Sequence, residues 1–149
     1  MWEYERTEDV EVSRAVVWPW YSQVGLWARW DDEVHEVELD GPFAEGVAGR
    51  LTLKGQEPVP FRLTDVEEGV CFTTRTPVPG AELRFAHRLT DLPGGGTRIT
   101  HQAAIEGLGA AGLVPVLAPS IEAGLPMALR SLARTVAHEG TAGSPDVKD

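Results

Sequence analysis

Two alternating segments, Leu83 to Leu89 and Ile99 to Ile105, flank the turn Pro93-Gly94-Gly95-Gly96. Strand side chains alternate with period two, so Leu83, Phe85, His87 and Leu89 share one face of the first segment, and Ile99, His101, Ala103 and Ile105 one face of the second. A hairpin centred on Gly94 sets His87 directly opposite His101. Two imidazoles inside an apolar face are costly unless protein, water or ligand hydrogen-bonds them. The chain is therefore expected to enclose something other than a dry core.

The same alternation recurs along the chain. Residues 2 to 12 place Trp2, Tyr4, Val10 and Val12 on one face and Glu3, Glu5, Asp9 and Glu11 on the other, a half-buried strand. Ser13 is positioned to cap a short helix over Arg14 to Ser22 that Pro19 should kink or divide. Strand-like runs follow at Val34 to Leu39, Gly46 to Leu53, Phe61 to Val66, Val70 to Thr76, Ala81 to Leu89 and Thr97 to Ile105. Between them lie Asp40-Gly41-Pro42, Lys54-Gly55-Gln56, Glu68-Gly69 and Pro77-Val78-Pro79-Gly80, whose glycines and prolines suit tight turns and consecutive antiparallel hairpins. Alternation directs His35, Val37, Leu39, Leu51, Leu53, Phe61, Leu63, Phe72 and Thr74 inward, with Phe72 expected near Phe85. The opposite faces carry Glu36, Glu38, Arg50, Arg62, Arg75, Arg84, Arg88 and Arg98, the mark of a sheet with one wet side.

The buried side of that sheet needs a cover. Ile121, Leu125, Leu129, Leu132 and Val136 recur every three or four residues, an apolar stripe on a C-terminal helix within residues 109–138. At about 1.5–3 kcal/mol each, their burial outweighs the roughly 3 kcal/mol defect of Pro126. Pro115 and Pro119 place the start of the long regular portion near Ser120, and Gly140 is the stop signal. Residues 1–139 are read as one domain and 140–149 as a disordered tail.

Composition narrows the function classes. The formal net charge is −10, and the scattered arginines form no basic stripe, so a nucleic-acid partner is not expected. The single cysteine, Cys71, has no partner in the chain, and the N-terminus shows no charged segment followed by a long apolar run. The expectation is a cytoplasmic protein with no membrane span, because charge, glycine or proline interrupts every apolar stretch before the roughly 20 residues needed. Trp18, Trp20, Trp27 and Trp30 fall within thirteen residues and either pack the short helices or line a pocket mouth, with Trp30 taken for the second role.

The candidate chemistry centres on His87 and His101. They are read as a structural or water-bridged pair, as hydrogen-bonding groups for a ligand, or as an acid/base pair. Adjacent and partly buried imidazoles resist holding two charges and should titrate as a unit. One neutral ring removing a proton beside one protonated ring polarising a carbonyl would serve an aldol-type cyclisation and dehydration. Adding His35 gives three imidazoles, but no carboxylate or thiol of matching spacing supports a zinc site, so no metal is expected. Gly107-Leu108-Gly109-Ala110-Ala111-Gly112 has the form GxGxxG, yet antiparallel strands precede it and Pro115 follows too soon for a pyrophosphate-binding helix. No GxSxG, HExxH or GxxxxGK[ST] motif is present.

The order of one strand, short helices, six antiparallel strands and a long closing helix is that of the α+β helix-grip fold, a curved sheet of about seven strands wrapped around a C-terminal helix. With Trp30, Leu39-Asp40-Gly41-Pro42-Phe43 to Gly46, Gly95-Gly96-Thr97-Arg98-Ile99-Thr100-His101 and Leu125-Pro126-Met127-Ala128-Leu129, the sequence resembles the START-like (SRPBCC) superfamily, in its polyketide cyclase/dehydrase-like and lipid-transport branch. The resemblance implies a hydrophobic cavity between sheet and helix, with no obligatory metal, nucleotide or other cofactor. A small hydrophobic or aromatic ligand is the expected partner. Trp30, Val37, Leu51, Phe61, Phe72, Phe85, Ala103, Leu125 and Leu129 would wall the site, with His87 and His101 orienting the ligand. The alternatives are a cyclase or dehydratase with those histidines catalytic, and a protein-interaction module whose cavity is filled.

Overall fold

The computed structural model describes residues 1–141, and the tail expected over residues 140–149 lies, past Thr141, outside the described residues. The elements are β1 (Trp2–Val10), α1 (Arg14–Ser22), a 3₁₀ turn (Val24–Leu26), α2 (Trp27–Trp30), β2 (Val34–Leu39), β3 (Ala48–Leu53), β4 (Val59–Glu67), β5 (Cys71–Val78), β6 (Ala81–Asp91), β7 (Thr97–Glu106) and α3 (Ala110–Glu139). The strands form one antiparallel sheet in the order β1-β7-β6-β5-β4-β3-β2. Tight turns keep β2 to β7 beside their sequence neighbours, whereas β1 pairs with β7 from Trp2 opposite Ile105 to Val10 opposite Thr97. The link from β1 to β2 must therefore cross the whole sheet. The two short helices are that link, laid over the inner face of its β2–β5 half.

Bulges bend the sheet at two places, between Val34 and Glu36 in β2 and between Thr64 and Glu67 in β4, where Asp65 takes a positive φ of 54°. The first overturns the inward placement of His35. An extra residue resets the alternation, so Val34 is buried while His35 is exposed on the solvent side. A three-imidazole cluster with His87 and His101 is thereby ruled out. In β3, Gly49 lies opposite Phe61, and a Cβ there would come within 2.5 Å of the Glu38 carbonyl oxygen and 2.8 Å of the Phe61 ring. Only glycine leaves room there for the Phe61 ring and the Glu38 carbonyl.

α3 begins ten residues before the expected regular portion and runs through Pro115, Pro119 and Pro126 without a break. At 100° per residue the three prolines fall on one side of the helix, away from the stripe of Ile121, Leu125, Leu129, Leu132 and Val136, every one of which is buried against the sheet. The carbonyl that Pro126 deprives of its partner is that of Glu122, and the Tyr4 hydroxyl donates to it at 3.4 Å. The helix stops where Gly140 adopts φ 66° and its N–H donates to the Val136 carbonyl. α3 is long and apolar enough to cross a membrane by length and composition, but its buried stripe packs on β1 and β7 as the core helix of the fold. The Gly107 to Gly112 run serves this junction. The Gly109 N–H donates to the Gly80 carbonyl at 2.9 Å, and a Cβ on Gly107 would sit 2.8 Å from the Ala81 Cα.

On the outer face the arginines meet carboxylates, as in the bidentate Arg98–Asp9 pair at 2.8 and 3.0 Å and the Arg50–Asp40 pair. Such exposed pairs contribute little individually to stability, and they leave the inner face as the part of the molecule with chemistry to explain.

Candidate histidine site

The register predicted from the glycine turn is the one the structure has. His87 pairs with His101, and the row continues to Phe72 on β5 and Arg6 on β1. Their rings meet edge to face with centroids 4.7 Å apart. Phe72 stacks flat on His87 at 4.0 Å, so its contact is with His87 rather than with Phe85, which stands one row further along opposite Thr74. Arg6 shares the inner face but turns away, its guanidinium 4.3 Å above the Tyr4 ring centroid and donating to the Glu5 carbonyl.

The tryptophan cluster builds the wall over this row. Trp18, Trp20, Trp27 and Trp30 are all buried. The Trp27 indole donates to the Tyr21 carbonyl at 2.8 Å, Trp30 to the Trp20 carbonyl at 3.1 Å, and Trp20 to the Gly140 carbonyl at 3.0 Å. These bonds tie the short helices to one another and to the end of α3. Trp30 therefore stands as a packed wall, 6.0 Å from the His101 ring, and not at an open mouth.

Tyr21 is the residue of this cluster that the sequence did not single out. It is fully buried, its ring centroid lies 4.9 Å from Phe72 and 5.5 Å from His87, and its hydroxyl is 2.7 Å from His101 Nε2. The available signal was its position three and four residues after Trp18 and Val17, on the inward face of α1. An aromatic there with a polar tip must find a hydrogen-bond partner once buried.

The contacts assign the protons. His87 Nδ1 lies 3.3 Å from the Phe72 carbonyl, which can only accept, so Nδ1 carries the hydrogen and Nε2 is left as an acceptor. Among the described residues the Tyr21 hydroxyl has no acceptor other than His101 Nε2; it donates there, and the His101 proton resides on Nδ1. Burial lowers the pKa of His87 from its ordinary 6.5 to about 4. Burial, with the neighbouring His87 second, pushes His101 well down as well, and burial raises Tyr21. Near neutrality the site is an uncharged Tyr–His–His group, so the protonated ring that the acid/base scheme needs is not favoured there.

No buried side-chain nitrogen or oxygen among the described residues lacks a hydrogen-bond partner. His87 Nε2 and His101 Nδ1, which have no protein partner among those residues, therefore border space a small group can reach. His87 itself is only partly buried. Along the same strand face Leu83 and Phe85 are partly buried and pack, with Leu117 of α3, around Ala103, Ile121 and Leu125.

The other predicted wall residues divide between two clusters. Phe61, Phe72, Trp30 and Leu129 lie in the main core with Val37 and Leu51 at its margin, while Phe85, Ala103 and Leu125 belong to the second. Two hollows are prominent on the surface, of about 550 Å³ between Ser131 and Glu139 and about 640 Å³ beside Arg14, Trp18 and Asp91. Neither is lined by any of the predicted wall residues, and neither is an enclosed cavity under α3.

With this geometry in view, the comparisons define the class. The sequence matches the family described as polyketide cyclase / dehydrase and lipid transport over residues 1–137. The chain belongs to that family. Its fold is shared with Ara h 8.0201, at 14% identity and a TM-score of 0.71 with 91% of this chain and 97% of that chain covered. Truncated norcoclaurine synthase from Thalictrum flavum gives 14% identity and a TM-score of 0.71, covering 94% of this chain and 95% of that one. BexL, a di-domain ARO/CYC from the BE-7585A biosynthetic pathway, gives 14% identity and a TM-score of 0.74, covering 91% of this chain and 46% of that chain. These likenesses establish the helix-grip, START-like fold and go no further. No curated protein matches in sequence.

Proposed function

We propose that the chain binds a small, largely apolar or aromatic molecule between the sheet and α3, entering past Leu83, Phe85 and Leu117 and ending against His87 and His101. The observation that carries this reading is the pair of ring nitrogens without a protein partner among the described residues, on a strand face that continues into the partly buried apolar side chains Leu83 and Phe85. Phe72, Phe85, Ala103 and Leu125 are the walls nearest that end, with Leu51, Phe61 and Val37 beyond. Membership of a family whose description names both lipid transport and polyketide cyclisation supports a ligand of this kind. The same description, and an ARO/CYC among the fold relatives, favour a second reading as a cyclase or dehydratase. Two neutral imidazoles suit holding a ligand better than cycling a proton near neutrality, and binding is therefore the first reading.

The test is native mass spectrometry after incubation with metabolite extract from the protein's own cells. A retained, unchanged apolar compound supports binding. A compound released with loss of water, only while both histidines are intact, supports the enzyme. No retained or altered molecule at all would move the search to protein partners.

A further inference from the structure

The hydrogen-bond roles of the two rings carry an inference about ligand chemistry that rests on the binding reading above. His87 Nδ1 is committed to the Phe72 carbonyl, which leaves Nε2 as a lone-pair acceptor. His101 Nε2 is committed to the Tyr21 hydroxyl, which leaves Nδ1–H as a donor. The rings are cross-strand partners with centroids 4.7 Å apart, and His101 is only 5% exposed. One acceptor and one donor are thus left on two rings that touch edge to face. A hydroxyl is the smallest group that satisfies both, because it donates once and accepts through its lone pairs. A carbonyl or ether oxygen leaves His87 Nε2 unpaired, and an ammonium leaves His101 Nδ1–H unpaired.

We propose that the His87–His101 pair recognises a single uncharged hydroxyl (a phenol, enol or alcohol) on an otherwise apolar ligand, which donates to His87 Nε2 and accepts from His101 Nδ1–H. Tyr21 is the positioning residue. By donating to His101 Nε2 it fixes the tautomer that presents the donor. Arg6, the one cation on this row, is held on the Tyr4 ring and the Glu5 carbonyl, so the polar end of the site is neutral. Burial of both imidazoles agrees with their remaining uncharged when the hydroxyl binds.

The experiment titrates 2-naphthol, 2-methoxynaphthalene and naphthalene into the full chain near neutral pH by calorimetry. The one hydrogen bond that the methyl ether cannot make, which leaves His87 Nε2 unpaired, predicts that 2-naphthol binds about tenfold tighter than the ether. In His87→Phe, which keeps an aromatic ring beside Phe72, that preference of naphthol over its methyl ether should fall to about twofold or less. Tyr21→Phe should weaken the preference in the same direction by freeing the His101 tautomer. Equal binding of all three compounds overturns the hydroxyl assignment and leaves the apolar site standing. Failure of all three to bind overturns both. A naphthol preference that survives in His87→Phe overturns the role of this pair. Should His87→Phe not fold, long-range proton–nitrogen NMR of the unmutated chain decides: hydrogen on Nδ1 of both rings is expected, and hydrogen on Nε2 of His87 contradicts the proposal.

Discussion

Lowering the pH from about 7 to about 4.5 forces protons toward imidazoles that the fold keeps neutral, and the cost should appear as lost stability. His87 has its pKa lowered from 6.5 to about 4 in the folded chain, so in that window the unfolded chain binds more protons and stability rises with pH. The contribution is whole above about pH 6.5 and is lost as pH falls toward the folded value. Integrated over the interval, His87 alone accounts for about 2 kcal/mol, and less to the extent that water reaches its free edge. His101, also lowered, acts in the same direction. Asp31 acts in the opposite one, because burial raises its pKa and folding then takes up protons as the pH falls. The salt-bridged Asp9, Asp40 and Asp91 have lowered pKa values and lose their contribution only below the ordinary carboxylate range near 3.8. Urea unfolding at several pH values, for the unmutated chain and for His87→Phe, separates these parts because Asp31 cancels in the difference. The difference in unfolding free energy between the two chains should shrink or change by about 2 kcal/mol between the two pH values. A difference that does not change with pH would refute the buried, neutral assignment of His87.

Other substitutions test the packing on which the site depends. Tyr21→Phe preserves the ring among Trp18, Trp30 and Phe72 but removes the donor to His101; it should cost about 1–3 kcal/mol by chemical denaturation, and a neutral result would mean that the hydroxyl contact contributes nothing. Gly49→Ala should destabilise by about 1–3 kcal/mol or more, since the new methyl would overlap the Glu38 carbonyl and the Phe61 ring; unchanged stability would show that β3 has room to move there.

How far the sequence could be read follows from which interactions are local. The His87–His101 register was legible because both residues lie seven from Gly94 and the turn fixes the count. The α3 stripe was legible for the same reason, since helical period needs no knowledge of the partner. The placement of His35 failed because a bulge is decided between two strands and leaves no mark in the alternation of one. The early start of α3 was missed because proline propensity is a local penalty. The structure offsets it by turning the prolines away from the sheet and supplying the Tyr4 hydroxyl to an orphaned carbonyl. Tyr21 escaped notice because its value comes from His101, eighty residues away in sequence. The proton assignments rest on contacts of that same long-range kind.

The most direct test of the account is NMR of the chain labelled with nitrogen-15 in its histidine rings, titrated with 2-naphthol. The account predicts that the ring nitrogens of His87 and His101 shift together and saturably, while those of the exposed His35 and His138 stay in place. Movement at the exposed histidines alone, or no saturable movement at His87 and His101, would contradict a ligand site between the sheet and α3.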